Sequence, residues 1–167
     1  GHEVHFISLA LPYRQMPFSS RIYFHEVVVE PYPLFQTYTP LSLALAAKMS
    51  EVAENHELDL LHVHYVLPFA ASAYLARELA KPRYLPVVTT LHTILAKPSL
   101  PQRRVIDEIA EISQRLVVMS RLGATTLAEV YGVAADRIDV IPHGIPEVPA
   151  RLESKRRLGV DGRMVLL

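Results

Sequence analysis

The chain has 167 residues, 50% of them hydrophobic and 20% charged, with 17 basic side chains balancing 17 acidic ones. That length supports one domain with a real core, and a net charge of zero leaves no single-signed field to draw the chain to nucleic acid or an anionic membrane. There is no cysteine, which excludes disulfide, zinc-thiolate and thiol chemistry, and no apolar run approaches the roughly 18 residues of a membrane span.

The chain opens Gly1-His2-Glu3 rather than with Met. Gly1 reads as the glycine that terminates a helix, so a preceding strand and helix are expected to be absent from this segment. No signal peptide is visible, and the cysteine-free composition is read as cytoplasmic. Val4 to Leu9 is expected to be a strand. Pro12 to Arg21, with its prolines and Ser19-Ser20, is a loop. Ile22 to Val29 alternates and is β-branched, as a strand does. Pro31 and Pro33 make 30–39 a loop, and Thr39 caps a helix from Pro40 to His56.

Leu58 to His64 is almost continuously apolar, the signature of a strand covered on both faces. A helix over Pro68 to Leu79 and a buried strand over Leu85 to Leu91 follow. Leu95 to Pro101 is a loop, Gln102 to Ser113 a helix, and Arg115 to Met119 a strand. Ser120 caps a helix that ends at Tyr131 before Gly132. Arg137 to Ile141 is a strand. Strand and helix in alternation predict the α/β class, a Rossmann-like doubly wound parallel sheet. Pro142, Pro146 and Pro149 then mark a linker. It leads to a short helix at Arg151–Leu158 and a strand opening at Met164. Residues 1–142 are thus expected to form one domain, and 143–167 a linker with the threshold of a second.

In an open parallel sheet the carboxyl ends of the strands line the ligand crevice. Two of the expected strands end in His62-Val63-His64-Tyr65 and Thr89-Thr90-Leu91-His92-Thr93. His62 and His64 lie two apart and so share a face. A metal site needs further ligands that no local acidic or cysteine cluster supplies, so no metal is expected. His62 is taken as structural, packed under the adjacent helix, and His64 as near the site. Tyr65 is either a half-buried aromatic or a hydroxyl donor at the rim. His92, at the tip of a buried strand, is costly as packing and useful as a proton donor, with a capping interaction for the loop as the alternative, and Thr93 adds a hydroxyl. Arg103 and Arg104 stand in the first turn of a helix, where a cation opposes the dipole unless an anion is bound. A solvated surface pair is the alternative. Ser120 is explained by capping alone, and Gly144, after His143, allows an unusual backbone. No G-x-G-x-x-G, Walker or G-x-S-x-G motif is present.

These motifs resemble the retaining GT-B glycosyltransferases of family 4. The resemblance is carried by Gly1-His2-Glu3-Val4, His62-Val63-His64-Tyr65, Thr90-Leu91-His92-Thr93, Val117-Val118-Met119-Ser120 and Ile141-Pro142-His143-Gly144-Ile145. In the last, histidine stands where the family usually has asparagine. Residues 22–91 are similar to the N-acetylglucosaminyl L-malate synthase branch of bacillithiol biosynthesis, through Tyr23-Phe24-His25-Glu26-Val27, Leu43 to Met49, and His62 to Tyr65 followed by Pro68. That branch reads His-Gly-Thr-Asp where this chain has His92-Thr93-Ile94-Leu95. The His-Thr form resembles the branch that glycosylates inositol phosphate.

The resemblance implies the acceptor-side domain of an enzyme that transfers a hexosyl group from a nucleotide sugar, a UDP-sugar by analogy, to a hydroxyl with retention. The donor is a co-substrate, and no cofactor or metal is implied. His92 would act in catalysis. His64, Tyr65, Thr93 and Arg103 would bind the acceptor, which is anionic by analogy, while Ser120, His143 and Gly144 would lie on the donor or linker side. The isolated chain is expected not to turn over. The alternative is a non-catalytic α/β module that binds a ligand or partner through the same crevice.

Overall fold

A computed structural model describes residues 1–10, 20–29, 41–144 and 154–160. Two parallel sheets result. Strands β1 (Val4–Ser8) and β2 (Ile22–Glu26) form a ribbon, and β3 (Leu61–His64), β4 (Val87–Leu91), β5 (Arg115–Val118) and β6 (Ile138–Val140) form a sheet in that order. The helices are α1 (Leu41–Asn55), α2 (Ala71–Leu79), α3 (Leu100–Ile112), α4 (Arg121–Tyr131) and the short α5 (Ser154–Arg157). The class is α/β with parallel strands, as the alternating pattern requires. The expected loop at 30–39, the Thr39 cap and the strand from Met164 lie outside the described residues.

Several elements differ in extent from the sequence expectation, each for a local reason. β3 starts at Leu61, not Leu58, because its first ladder bond runs from Leu61 N–H to the carbonyl of Pro86. The residues before it follow the end of α1, where the carbonyls of Ala53, in the helix, and of Leu58, after it, accept from Arg83. The helix expected from Pro68 opens as a π-helical turn over Val66–Ala70, with Leu67 extended, before regular α2. α3 begins two residues earlier than expected. Ser99 and Gln102 close a reciprocal capping box on it, and Pro101 sits in its first turn, which satisfies donors that a helix start leaves unpaired. α4 matches closely: Ser120 caps it, and Gly132 ends it in the left-handed region at φ 69°.

The register pairs Leu61 with Val87, Val63 with Thr89, Thr89 with Leu116, and Leu91 with Val118. Side chains alternate across a strand, so these residues share one face. All but Thr89, which bonds to Ser113, join the two core clusters, with α1 and α2 over Leu61, Val63 and Val87, and α3 and α4 over Leu91, Leu116 and Val118. Right-handed crossovers between successive neighbouring strands put their helices on the same side. The opposite face carries His62, His64, Val88, Thr90 and Val117. β3 is therefore buried at Leu61 and Val63 and exposed at His62 and His64. The expectation of a strand covered on both faces, with His62 under a helix, is corrected accordingly. Between the edges of β1 and β3 runs a groove of about 910 Å³, lined by both strands and by Met49, His56 and Phe69.

Candidate functional site

The parallel register sets the ends of β3 and β4 side by side. His64 pairs with Thr90, and the amide of Tyr65 donates to the Thr90 carbonyl at 3.0 Å. His92 follows one residue past β4, and its Nε2 lies 3.0 Å from Nδ1 of His64. Its ring also stacks on Tyr65, with centroids 4.3 Å apart and planes 23° from parallel. His143, beyond β6, stacks on the same ring at 5.7 Å. His62 stacks on His64 at 4.8 Å, and its Nε2 lies 2.8 Å from the Thr90 hydroxyl. The structure thus brings His64, Tyr65 and His92 together at one rim and adds His143, which the sequence had assigned to the linker side. Thr93 is the next residue on, exposed to solvent.

Tyr65 holds φ 68° and ψ 148°. For a bulky side chain this is an uncommon conformation that costs on the order of 1–3 kcal/mol. It turns the chain out of β3 so that the ring lies over His92, 52% exposed, and among the described residues its hydroxyl has no protein partner. Burial, followed by the neighbouring His62, His92 and His143, lowers the pKa of His64 from its ordinary value. Burial likewise lowers that of His62. A neutral His64 leaves one proton to share with His92. When His64 donates from Nδ1, the other nitrogen of His92 is a donor; when His92 donates, that nitrogen is an acceptor.

The other candidates sit apart. Arg103 pairs with Asp107 one turn on, Nε to Oδ2 3.6 Å, with both side chains about half exposed. The second oxygen of Asp107, Oδ1, is buried and without a hydrogen-bond partner among the described residues. Beside this pair the hydroxyl of Tyr131 donates to the Leu95 carbonyl at 2.8 Å, pinning the loop that follows His92. Burial and the Asp107 charge push the Tyr131 pKa up. Among the described residues no hydrogen bond, ion pair or ring contact joins Arg103 or Thr93 to the ring cluster. Ser120 is occupied as a cap, accepting from the Gly123 amide at 3.1 Å. Gly144 does not show positive φ, and a Cβ there would meet nothing, so the expected unusual backbone is not found.

One further group of rings has no local signature in the sequence. His5, His25 and His56 converge on the ribbon, their ligand-capable nitrogens all within 4.8 Å of one another. The residues lie 20 and 31 positions apart, and only the pairing of β1 with β2 and the return of α1 unite them. No helix among the described residues is long and apolar enough to cross a membrane.

Comparison with known proteins agrees with this architecture. The chain is 53% identical over 92 residues to the N-acetyl-alpha-D-glucosaminyl L-malate synthase of Bacillus anthracis, which covers 55% of this chain and 24% of that protein. It is 32% identical over 157 residues to the D-inositol 3-phosphate glycosyltransferase of Acidothermus cellulolyticus, covering 83% and 34%. The chain therefore spans a quarter to a third of these relatives' length. Among solved structures, a glycosyltransferase from Rickettsia africae superimposes with a TM-score of 0.65 at 20% identity, over 96% of this chain and 42% of that one. HepE from Anabaena, solved in complex with UDP, gives 0.60 at 18% identity, over 94% and 50%. These two establish the GT-B fold. The sequence model for Glycosyltransferase Family 4 matches residues 1–147, so the chain belongs to glycosyltransferase family 4.

Proposed function

We propose that residues 1–142 form the acceptor-binding domain of an enzyme that moves a hexosyl group from a UDP-linked sugar to a hydroxyl, with retention. The observation that carries this reading is the joined cluster of His64, Tyr65 and His92 at the carboxyl ends of adjacent parallel strands. That is where ligands bind in open α/β sheets. Family membership supports transfer over a non-catalytic binding module. Two relatives named for their acceptors act on L-malate or D-inositol 3-phosphate. Both acceptors are anionic, and the present site is proposed to take an anionic acceptor as well. Residues 143–167 would lead to the donor half, and a cytoplasmic location is part of the proposal.

In this reading the acceptor oxygen bonds to the anomeric carbon while the carbon–oxygen bond to the diphosphate breaks. The acceptor proton passes to the departing phosphate. His92, backed by His64, would donate to the sugar or to the charge that develops as that bond breaks, an interaction strongest in the transition state. Tyr65 would offer its free hydroxyl, and Thr93 and Arg103 would hold the acceptor's anion. The Arg103–Asp107 contact is long and solvent-exposed, so the guanidinium is only weakly committed to it.

The test is a steady-state assay. The isolated chain is expected to transfer no sugar. In the full-length enzyme that carries it, His92→Ala is expected to lower kcat by about 10²-fold or more. An unchanged kcat in a folded variant would remove His92 from the chemistry.

A further inference from the structure

His5, His25 and His56 lie outside the acceptor site and have no part in the proposed reaction. The parallel register pairs His5 with Tyr23 and Ile7 with His25, so His5 and His25 share a face of the ribbon and sit on a diagonal across it. Nδ1 of His5 is 2.9 Å from Nε2 of His25, and their rings are 10° from parallel. His56, in the turn after α1, approaches from the helix side, its ring centroid 4.4 Å from that of His5. From these contacts we propose that His5, His25 and His56 form a binding site for a first-row divalent transition ion such as Zn²⁺, with an open position toward the groove between β1 and β3.

Chemistry and geometry support this. Three imidazoles are a suitable donor set for zinc and for its copper and nickel neighbours. Zinc–nitrogen bonds of about 2.0–2.1 Å in a tetrahedral arrangement hold ligand nitrogens about 3.4 Å apart. The present nitrogens, within 4.8 Å of one another, reach that spacing when His5 and His25 part slightly and His56 closes by side-chain rotation. His56 is exposed, and its ring rests against those of His5 and His25. His5 and His56 both line the groove, which leaves room for water or a small ligand on the metal. The end of α1 presents carbonyls, whose dipole favours a cation.

The charged groups around the site bear both ways. Glu3 faces His5, while Lys48 and Glu51 face His25 from α1 and neutralise each other in an ion pair at 2.6 Å. Burial, with neighbouring histidine charges, lowers the pKa of His5 and of His25.

The experiment uses the present chain, purified without a histidine tag, stripped with a chelator and titrated with Zn²⁺ by calorimetry and with Co²⁺ by absorption. One ion per chain is expected at this site. His25→Ala and His56→Ala are each expected to weaken binding at least about tenfold, equivalent to about 1.4 kcal/mol, while His64→Ala leaves it unchanged. His56 is exposed and lies outside the strands, so its variant, checked for folding, reports on the metal even where His25→Ala unfolds the ribbon. The proposal is overturned if folded wild-type chain takes up no ion, if His56→Ala binds as tightly as wild type, or if His64→Ala abolishes uptake.

Discussion

The β3–β6 sheet and the β1–β2 ribbon are both parallel, yet they differ in how their side chains are covered. In the sheet, Val87, Thr89 and Leu116 are fully buried, and Ser113 closes the interior with a 2.8 Å hydrogen bond to Thr89. In the ribbon, Val4, Phe6 and Tyr23 are 40–50% exposed, and one edge faces an open groove. Four neighbouring parallel strands gather their helices over a common face, whereas two strands present mostly rings, with Phe6 on Phe24 on one side and His5 on Tyr23 on the other. The sheet supplies the rigid frame, and the chemistry-bearing histidines sit at its rim and on the ribbon.

Truncation of the two regions should separate them most widely. Leu116→Ala removes a wholly buried side chain and is expected to cost about 2–5 kcal/mol of stability. Phe6→Ala, half exposed and stacked on one ring, is expected to cost about 1–2 kcal/mol. Denaturant midpoints of the two variants measure the difference, and equal losses would mean that the ribbon is as well packed as the sheet.

The rim of the sheet can be probed next. In the full-length enzyme, Arg103→Ala is expected to raise acceptor KM at least about tenfold, since a charge-assisted contact contributes roughly 1.5–3 kcal/mol. Donor KM should hardly move. If Arg104→Ala acts instead, the anion rests on the same helix but on the neighbouring side chain. Ser120→Ala tests a residue to which capping alone is assigned. It is expected to cost about 1 kcal/mol, a drop in Tm of about 2–4 °C, with the acceptor KM unchanged.

The smallest expected effect is on pH. His62 and His64 have lowered pKa values in the folded chain, against an ordinary imidazole near 6.5 in the unfolded one. Just below about pH 6.5 the unfolded chain binds more protons, so stability is full above that pH and declines as pH falls toward the folded values. The slope of the urea midpoint against pH should lessen in His62→Gln.

The order of strands and helices was legible because buried parallel strands read as apolar runs and helix ends carry Ser120 and Gly132. The start of α3 is also written in Ser99-Leu100-Pro101-Gln102, a capping signal that competes with the turn signal of Pro101. The joining of His64, Tyr65 and His92 followed from the rule that strand ends line a crevice. The exposure of His62 did not, because an apolar run around it does not reveal on which side the crossovers place the helices. The left-handed turn at Tyr65 has no glycine to announce it. The His5–His25–His56 group depends on strand register and on the return of a helix, and no local spacing records either.

The central claim is that the acceptor binds at the rim of the sheet, around His64, Tyr65 and His92. The direct measurement is a titration of the isolated chain with D-inositol 3-phosphate and, separately, L-malate, following the histidine ring resonances by NMR. The account predicts that at least one of the two shifts the signals of His64, His92 and His143 while those of His5, His25 and His56 stay in place. Shifts confined to His5, His25 and His56, or saturable binding with the rim signals unmoved, would contradict it.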